Sequence, residues 1–424
     1  MTLAIVVIVV VTALVFDFTN GFHDSSNSMA TAVATGAFRP RIAVTVAAVL
    51  NIVGACLSTE VARTISSGIV NDALVTPTMV FAGLAGAIIW NLVTWLLGLP
   101  SSSSHAMFGG LIGAVLVTAG HSGVHWGVIV SKIILPALVA PAVAGVAAGV
   151  ATFCAYRITD HSVTHAGRYY RMGQRISSSM LALAHGTSDG QKTMGIITLV
   201  LIAAGMQAPG THPHWWVIGM AGLAIGLGTY SGGWRIMRTM GSGLVAVEAP
   251  QGFCAETAST VAVLASSHLG FGLSTTHVCT GSILGSGVGR GAKVNWSVAG
   301  QMASAWLATL PCAAVVGAVA GWLAGRGIVG IGVVAVALVI AAGAILTRAN
   351  RTKVHHGNVN DDPRAVPSPA RQPGGRVVED LPVVVEGSVA HEAERVLKSA
   401  AGRAPGGDDD PRPGQHLAGS GVAS

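Results

Sequence analysis

The chain has 424 residues, of which 51% are hydrophobic and 10% charged, and its mean hydropathy is +0.63. Soluble domains carry about 25% charge, so the deficit points to lipid, not water, as the main solvent. The net charge of +6 falls within residues 1–347, because 10 acidic and 10 basic residues cancel in 348–424; it reads as loop Arg and Lys facing the cytoplasm and argues against a nucleic-acid surface.

From the N-terminus, Leu3 to Phe16 is apolar, with no basic stretch before it and no convincing cleavage site, which predicts a first membrane helix and not a signal peptide. Apolar segments of roughly spanning length follow one another near 2–16, 26–38, 41–58, 78–98, 105–119, 126–155, 193–207, 214–229, 251–269, 277–289, 296–324 and 328–347. Several are too short to span alone and sit beside polar clusters. These are expected to be broken or re-entrant helices, since non-helical backbone at membrane depth is tolerated only inside protein or beside a water-filled cavity. Arg157, Arg168, Arg171 and Arg175 mark a basic connection, 157–175, between a first membrane repeat, 1–156, and a second, 176–347. Arg348, Arg351 and Lys353 follow the last apolar segment, and both basic groups read as cytoplasmic. Residues 348–424 are expected to be a disordered polar tail, rich in Pro, Gly, Asp and Arg, in which His391 to Ala401 is the stretch able to form a helix. Five cysteines (Cys56, Cys154, Cys254, Cys279 and Cys312) are scattered through apolar stretches without metal or CxxC spacing, and read as small buried apolar residues.

The strongest feature is duplication. Asn20-Gly21-Phe22-His23-Asp24-Ser25-Ser26-Asn27-Ser28-Met29 returns as His185-Gly186-Thr187-Ser188-Asp189-Gly190-Gln191-Lys192-Thr193-Met194. Aligned on the aspartates, Gly21 meets Gly186, Ser28 meets Thr193 and Met29 meets Met194. Ser103-Ser104-His105 then matches Thr275-Thr276-His277, and Gly109 and Gly113 match Gly281 and Gly285. Between them, Thr64 to Ile69 matches Thr239 to Leu244. Matched motifs in one order, each interrupting apolar sequence, are the signature of a two-repeat transporter.

Each first motif places a glycine that permits a break before an aspartate and small polar residues, which predicts a discontinuous helix. Each second motif places hydroxyls before an apolar, glycine-rich run: Pro100 and Ser101 to Ser104 in one half, Ser274 to Thr276 in the other. A helix N-terminus offers free N–H groups and a partial positive charge, and so binds oxyanions. A serine run before a helix is by itself most often a cap, and a lone histidine after it is most often a packed core residue. Asp24 and Asp189 differ, because a carboxylate at membrane depth costs about 3 kcal/mol on insertion scales and by default marks a functional site. A bound cation would offset both their burial and their repulsion of an anion. Lys192 stands where the first half has Asn27; its ammonium suits an anionic substrate, or else neutralises Asp189. The expected substrate-binding set is Ser103, Ser104, Thr275, Thr276, Asn27, Gln191 and Lys192. The expected cation-coupling set is Asp24, Asp189, His23 and His105, with sodium, if used, at Asp24 and Asp189; Gln191, His23 and His185 are also candidates for a supporting role behind the residues that touch substrate.

The stretches FDFTNGFHDSSNSMATAVATGA, LGLPSSSSHAMFGGLIGAVL, ALAHGTSDGQKTMGIITL, GGWRIMRTMGSGL, PQGFCAETAS and GLSTTHVCTGSILGSGVGRG resemble the inorganic phosphate transporter family, in its bacterial low-affinity branch, from about residue 10 to residue 345. The resemblance implies an all-α polytopic membrane protein of about 10–12 segments, in two inverted repeats with discontinuous or re-entrant helices, set in a bacterial plasma membrane. It implies phosphate at the pseudo-symmetric centre, symported with protons or sodium, with phosphate carried as a neutral metal complex as a further option. Many members place asparagine before each motif aspartate, whereas His23 and Ser188 stand there in this chain, which tilts the expectation towards protons. The expected partners are inorganic phosphate and the lipid bilayer, with a homodimer as a further expectation and no cofactor beyond the coupling ion.

Other classes fit less well. A membrane hydrolase built on Ser104, His105 and an aspartate has no need of two symmetric copies, and neither HExxH nor GxSxG is present. A passive anion channel is disfavoured by midplane carboxylates that repel the permeating ion. A symporter of sulfate or another oxyanion is the nearest rival.

Overall fold

A computed structural model describes residues 2–366 apart from 72, 160–162 and 363. The expected helix at 391–401 and most of the expected tail lie outside the described residues. The regular structure is helical, and β-pairing among the described residues is confined to two isolated bridges.

The first helix, α1 (Thr2–Ala34), runs unbroken through the Asp24 motif. After it come α2 (Pro40–Ala55) and α3 (Glu60–Gly68), bent 68° from each other. Helix α4 (Pro77–Leu97) starts at Pro77 behind the Thr76 cap and stops at Gly98, whose φ of 67° closes the helix in the left-handed region. Helix α5 (Ser103–Ala119) follows. Next are the short α6 (Trp126–Ile129), a π turn at Val130–Ile134 and α7 (Leu135–Thr159). The second motif lies on α8 (Val163–Ala203), of 41 residues. Then come α9 (Trp215–Ser231), α10 (Trp234–Arg238), a π turn at Thr239–Gly243, α11 (Ala249–His268), α12 (Thr275–Arg290), α13 (Trp296–Ala324) and α14 (Ile328–Arg351).

Two expectations are corrected here. The Asp24 and Asp189 motifs do not break their helices, because their glycines serve packing and not a turn. A Cβ on Gly21 would overlap the Ile225 carbonyl oxygen of α9, and one on Gly186 would overlap that of Asn51 on α2. The polar residues of α1 are accommodated without a break because Asp17, Asn20, Asp24, Asn27 and Thr31 recur three or four residues apart and form one buried stripe. Leu3, Val7, Val11 and Val15 form an exposed apolar stripe. Second, Arg168, Arg171 and Arg175 sit on the first turns of α8, not in a loop, and the polar tail does not begin at residue 348. Arg348 and Arg351 end α14. Beyond it the chain folds back on the body: Arg238 donates to the Asn358 carbonyl at 2.6 Å, Arg364 to the Thr239 hydroxyl at 2.9 Å, and the Val366 N–H to the Ser242 carbonyl at 3.1 Å.

Packing follows the sequence duplication. Helix α1 lies on α9 and α2 on α8; α5 lies on α13 and α7 on α12. Single antiparallel bridges join Val70 to Val124 in one half and Val245 to Val294 in the other. Pro141 lies as far after Trp126 as Pro311 does after Trp296. Glycines let the latter helices touch along their backbones: a Cβ on Gly113 would overlap the Ala314 carbonyl, and one on Gly285 that of Gly145.

Among the described residues five helices are long and apolar enough to cross a membrane, and six if the bent pair α2–α3 is one span. Other helices are shorter or, like α8 and α11, less apolar along their length. Large apolar side chains such as Leu138, Val146, Val329 and Val339 remain exposed on α7 and α14. That is an outer surface suited to lipid, while the polar residues lie inside. The chain is a multi-pass helical membrane protein.

Candidate functional site

The two motif helices form the spine of the site. Along α1 and α8 the partner number falls on one helix as it rises on the other. Thr35 meets Gln174, Asp24 meets His185 and Asn20 meets Asp189. The equivalent helices of the two repeats therefore run antiparallel, side by side, and bring both polar stripes into one seam.

Asp24 and Asp189 face each other across it, both buried. His23 Nδ1 lies 2.7 Å from Asp24, and its Nε2 is held by Thr94 and Ser101 at 3.2 and 3.3 Å. His185 Nε2 stands between the aspartates, 4.0 Å from Asp24 Oδ2 and 3.5 Å from Asp189 Oδ2. Its Nδ1 faces the Asn51 amide oxygen at 3.2 Å, so that nitrogen carries a hydrogen. Asn20 donates to Asp189 at 3.5 Å.

Two helix N-termini close on the seam. Ser102 caps α5 by accepting the His105 N–H at 3.1 Å, and Ser274 caps α12 by accepting the His277 N–H at 3.3 Å. The expected second-motif helix starts are thus present in both halves, with matching caps. Lys192 reaches from α8 to Asp189 at 2.6 Å, to the Ser104 hydroxyl at 2.5 Å and to the Leu273 carbonyl at 3.0 Å. Asn27 donates to Thr275 and Thr276 at 3.3 and 3.1 Å. Thr275 donates to Asp189 and Thr276 to Asp24, each at 3.4 Å. Every one of these side chains is buried. The Ser103 hydroxyl, at the first turn of α5, is buried without a partner.

Asp24, Asp189, His23, Asn27, Lys192, Ser104, Thr275 and Thr276 are therefore brought together, with Ser103 at the edge. Two predicted residues are placed elsewhere. Gln191 turns to α3, where its Oε1 accepts the Val61 N–H at 2.8 Å and its Nε2 donates to the Thr187 carbonyl at 2.5 Å; it caps a helix from its neighbour. His105 packs edge-on against its repeat mate His277, with ring centroids 4.9 Å apart, and makes no contact with either aspartate. The sequence reading missed Asn20, Thr94, Ser101 and Asn51. It also missed a further buried carboxylate, Glu256, held by Ser177 at 2.5 Å, Thr31 at 2.6 Å and Gln174 at 3.0 Å. The signal that finds Asn20 and Thr31 is the three-or-four spacing of polar residues along α1.

Chemically the site can hold an anion and compensate it. Asp24, His185 and Asp189 offer ligand atoms within 4.8 Å of one another, which is close enough to hold a metal ion. The imidazole suits a transition metal or a proton better than sodium, which prefers oxygen ligands. A serine nucleophile is not assembled: Ser104 accepts from Lys192, and the His105 ring packs edge-on against His277.

Comparison with known proteins identifies the family. Residues 20–317 match the model of the phosphate transporter family. The chain is 50% identical over 365 residues to a protein of Mycobacterium leprae named "Probable low-affinity inorganic phosphate transporter", covering 85% of this chain and 88% of that one. It is 37% identical over 326 residues to a Bacillus subtilis protein of the same name, covering 75% and 96%. A solved structure described as "The sodium-dependent phosphate transporter" superposes with a TM-score of 0.66 over 75% of this chain and 98% of its own, at 24% identity, which speaks to the fold alone. Family match, relatives and fold agree: the chain is a member of the phosphate transporter family, a family of transporters and not of enzymes.

Proposed function

We propose that this protein is a secondary active symporter of inorganic phosphate in a bacterial plasma membrane, coupled to a cation. One observation carries the reading: two aspartates from equivalent repeat helices lie within hydrogen-bond reach of the hydroxyls that open α12, while Lys192 bridges one of them to the first turn of α5. An oxyanion at the two helix N-termini gains free N–H groups, hydroxyls and an ammonium. The same anion is repelled by Asp24 and Asp189 unless they are neutralised, so anion and cation raise each other's affinity by the same factor. The antiparallel run of α1 and α8 supports an inverted repeat, since a two-fold axis relating antiparallel neighbours lies perpendicular to them.

The test is uptake of labelled phosphate and labelled sulfate into proteoliposomes, with proton and sodium gradients imposed separately and with or without a chelator of divalent ions. Phosphate is expected to accumulate and sulfate not. The chelator arm separates free phosphate from a metal–phosphate complex. Asp24→Asn and Asp189→Asn are each expected to abolish gradient-driven accumulation. Accumulation by the double variant at the unsubstituted level would sink the scheme, because no other acidic residues of the described body occupy matched repeat positions.

A further inference from the structure

The seam between α1 and α8 continues past the Asn20–Asp189 contact, and there it holds an acid that the site above does not use. Asp17 lies one turn before Asn20 on the same stripe, is 0% exposed, and has no hydrogen-bond partner on either carboxylate oxygen. Thr193 of α8 and Asn20 flank it, and Thr193 Oγ1 and Asn20 Oδ1 are themselves buried and unpartnered. The charged groups that face it are Asp189 and Lys192, both on α8. Helices α4 and α9, which also pack on α1, contain no acidic, basic or histidine side chain.

The three acids that α1 and α8 themselves contribute to this seam are thus unequal; Glu256 of α11, at its other end, is held by three donors instead. Asp24 has His23 at 2.7 Å and His185 at 4.0 Å. Asp189 has Lys192 at 2.6 Å and His185 at 3.5 Å. Asp17 has no cation within ion-pair distance among the described residues. A buried carboxylate with no cation within ion-pair distance is costly to keep charged, and taking a proton removes that cost. Asp17 is also unpaired in the sequence repeat, since Ala182 stands in the corresponding position of α8, so the duplicated anion site does not account for it.

We propose that Asp17 is the residue that carries the coupling proton, held as a neutral carboxylic acid between Thr193 and Asn20. The inference rests on the symport reading above and names its ion and its station. Its logic is competition for one ammonium. An ionised Asp17 draws Lys192 away from the N-terminus of α5, whereas a protonated Asp17 leaves Lys192 to the arriving anion. Proton and phosphate therefore favour each other's binding. The proton adds to a carboxylate oxygen from water on one side and returns to water on the other, with no other bond changed.

Asp17→Asn fixes the neutral form. A pH gradient of 1 unit drives about a tenfold accumulation per coupled proton, and D17N is expected to lose that accumulation. Phosphate counterflow, which needs no net proton movement, is expected to continue, and Asp17→Glu to restore part of the pH-driven uptake. Infrared spectroscopy of the unsubstituted protein at neutral pH reads the proton directly. A protonated carboxylic acid carbonyl stretch is expected, and D17N is expected to remove a component of it distinct from any that Glu256→Gln removes. This second readout needs no transport, so it decides the proposal even if the chain proves to carry another anion. Should D17N fail to fold, D17E is expected to shift the same band. The proposal is overturned by a D17N protein that keeps its pH-driven accumulation, by a carboxylic acid band unaffected by D17N or D17E, or by a D17N defect confined to sodium-driven uptake.

Discussion

Every donor of the Lys192 ammonium is directed: one to Asp189, one to Ser104 and one to the Leu273 carbonyl. From the sequence Lys192 was either a substrate contact or a counter-ion for Asp189, and the geometry shows why neither reading excluded the other. One atom serves the carboxylate and the first turn of α5 at once. Lys192→Gln strands a buried carboxylate, which costs about 3–5 kcal/mol, and is expected to lower thermal stability in detergent as well as uptake. Lys192→Gln with Asp189→Asn removes both charges and is expected to recover most of the stability but not the uptake. Full recovery of uptake would make Lys192 a counter-ion only. The residues legible in the sequence were those duplicated around the aspartates, because repetition lifts them out of background. Gln191 was misplaced for the same reason that it was found: it lies in the motif, but it points to the side of α8 that packs on α3, and its amide satisfies the otherwise unpaired N–H groups of Val61 and Ala62. Thr94 was missed because a single buried hydroxyl carries no pattern until its partner across the seam is known, whereas Asn20 could have been found from the polar spacing along α1.

At the scale of elements, the second motifs were read correctly and the first were not. Ser102 and Ser274 precede an apolar, glycine-rich run, and both cap the helix that the run forms. Gly21 and Gly186 sit before an aspartate in the same way, yet α1 and α8 continue through them. The difference lies in the partner. Neither motif glycine has a proline closely before it or a positive φ, whereas Pro100 stands just before the Ser102 cap and Gly270, with φ of 66°, closes α11 shortly before the Ser274 cap. Gly21 and Gly186 instead remove a side chain where a neighbouring backbone carbonyl approaches. A glycine that permits a break and a glycine that permits contact look alike in one sequence. The distinction is testable by Gly21→Ala and Gly186→Ala. Each adds a methyl against a backbone atom that cannot yield cheaply, and each is expected to cost about 1–3 kcal/mol, read as a lower unfolding temperature. Gly219, within α9, has open space where its Cβ would lie. Gly219→Ala is expected to be neutral or to stabilise by about 0.5–1 kcal/mol through helix propensity. Equal losses at all of these positions would mean that helix contact is not what the motif glycines supply.

For the whole molecule, the antiparallel run of α1 and α8 makes a statement about the membrane that no single segment makes. Hydropathy could count segments but could not say how the halves are related, since inverted and parallel repeats share the same sequence signature. The contacts Thr35–Gln174, Asp24–His185 and Asn20–Asp189 show that α1 and α8 run antiparallel, which is what the proposed inversion requires. If helices of equal rank point in opposite directions through the bilayer, their C-terminal ends emerge on opposite faces. Arg39, just after α1, and Ala208, just after α8, are both exposed. In a background with its native cysteines replaced, Arg39→Cys and Ala208→Cys are expected to react with a membrane-impermeant thiol reagent from opposite sides. One should label in intact cells, and the other only after the membrane is opened. Orientation follows from charge: Arg39 and Arg41 flank the end of α1, whereas residues 204–214 after α8 contain no Lys or Arg, so the positive-inside rule places position 39 in the cytoplasm and position 208 outside. Labelling of both from the same side would require one of the two long helices to turn back within the bilayer, and would remove the inverted repeat, and with it the alternating access expected of a site at the repeat interface.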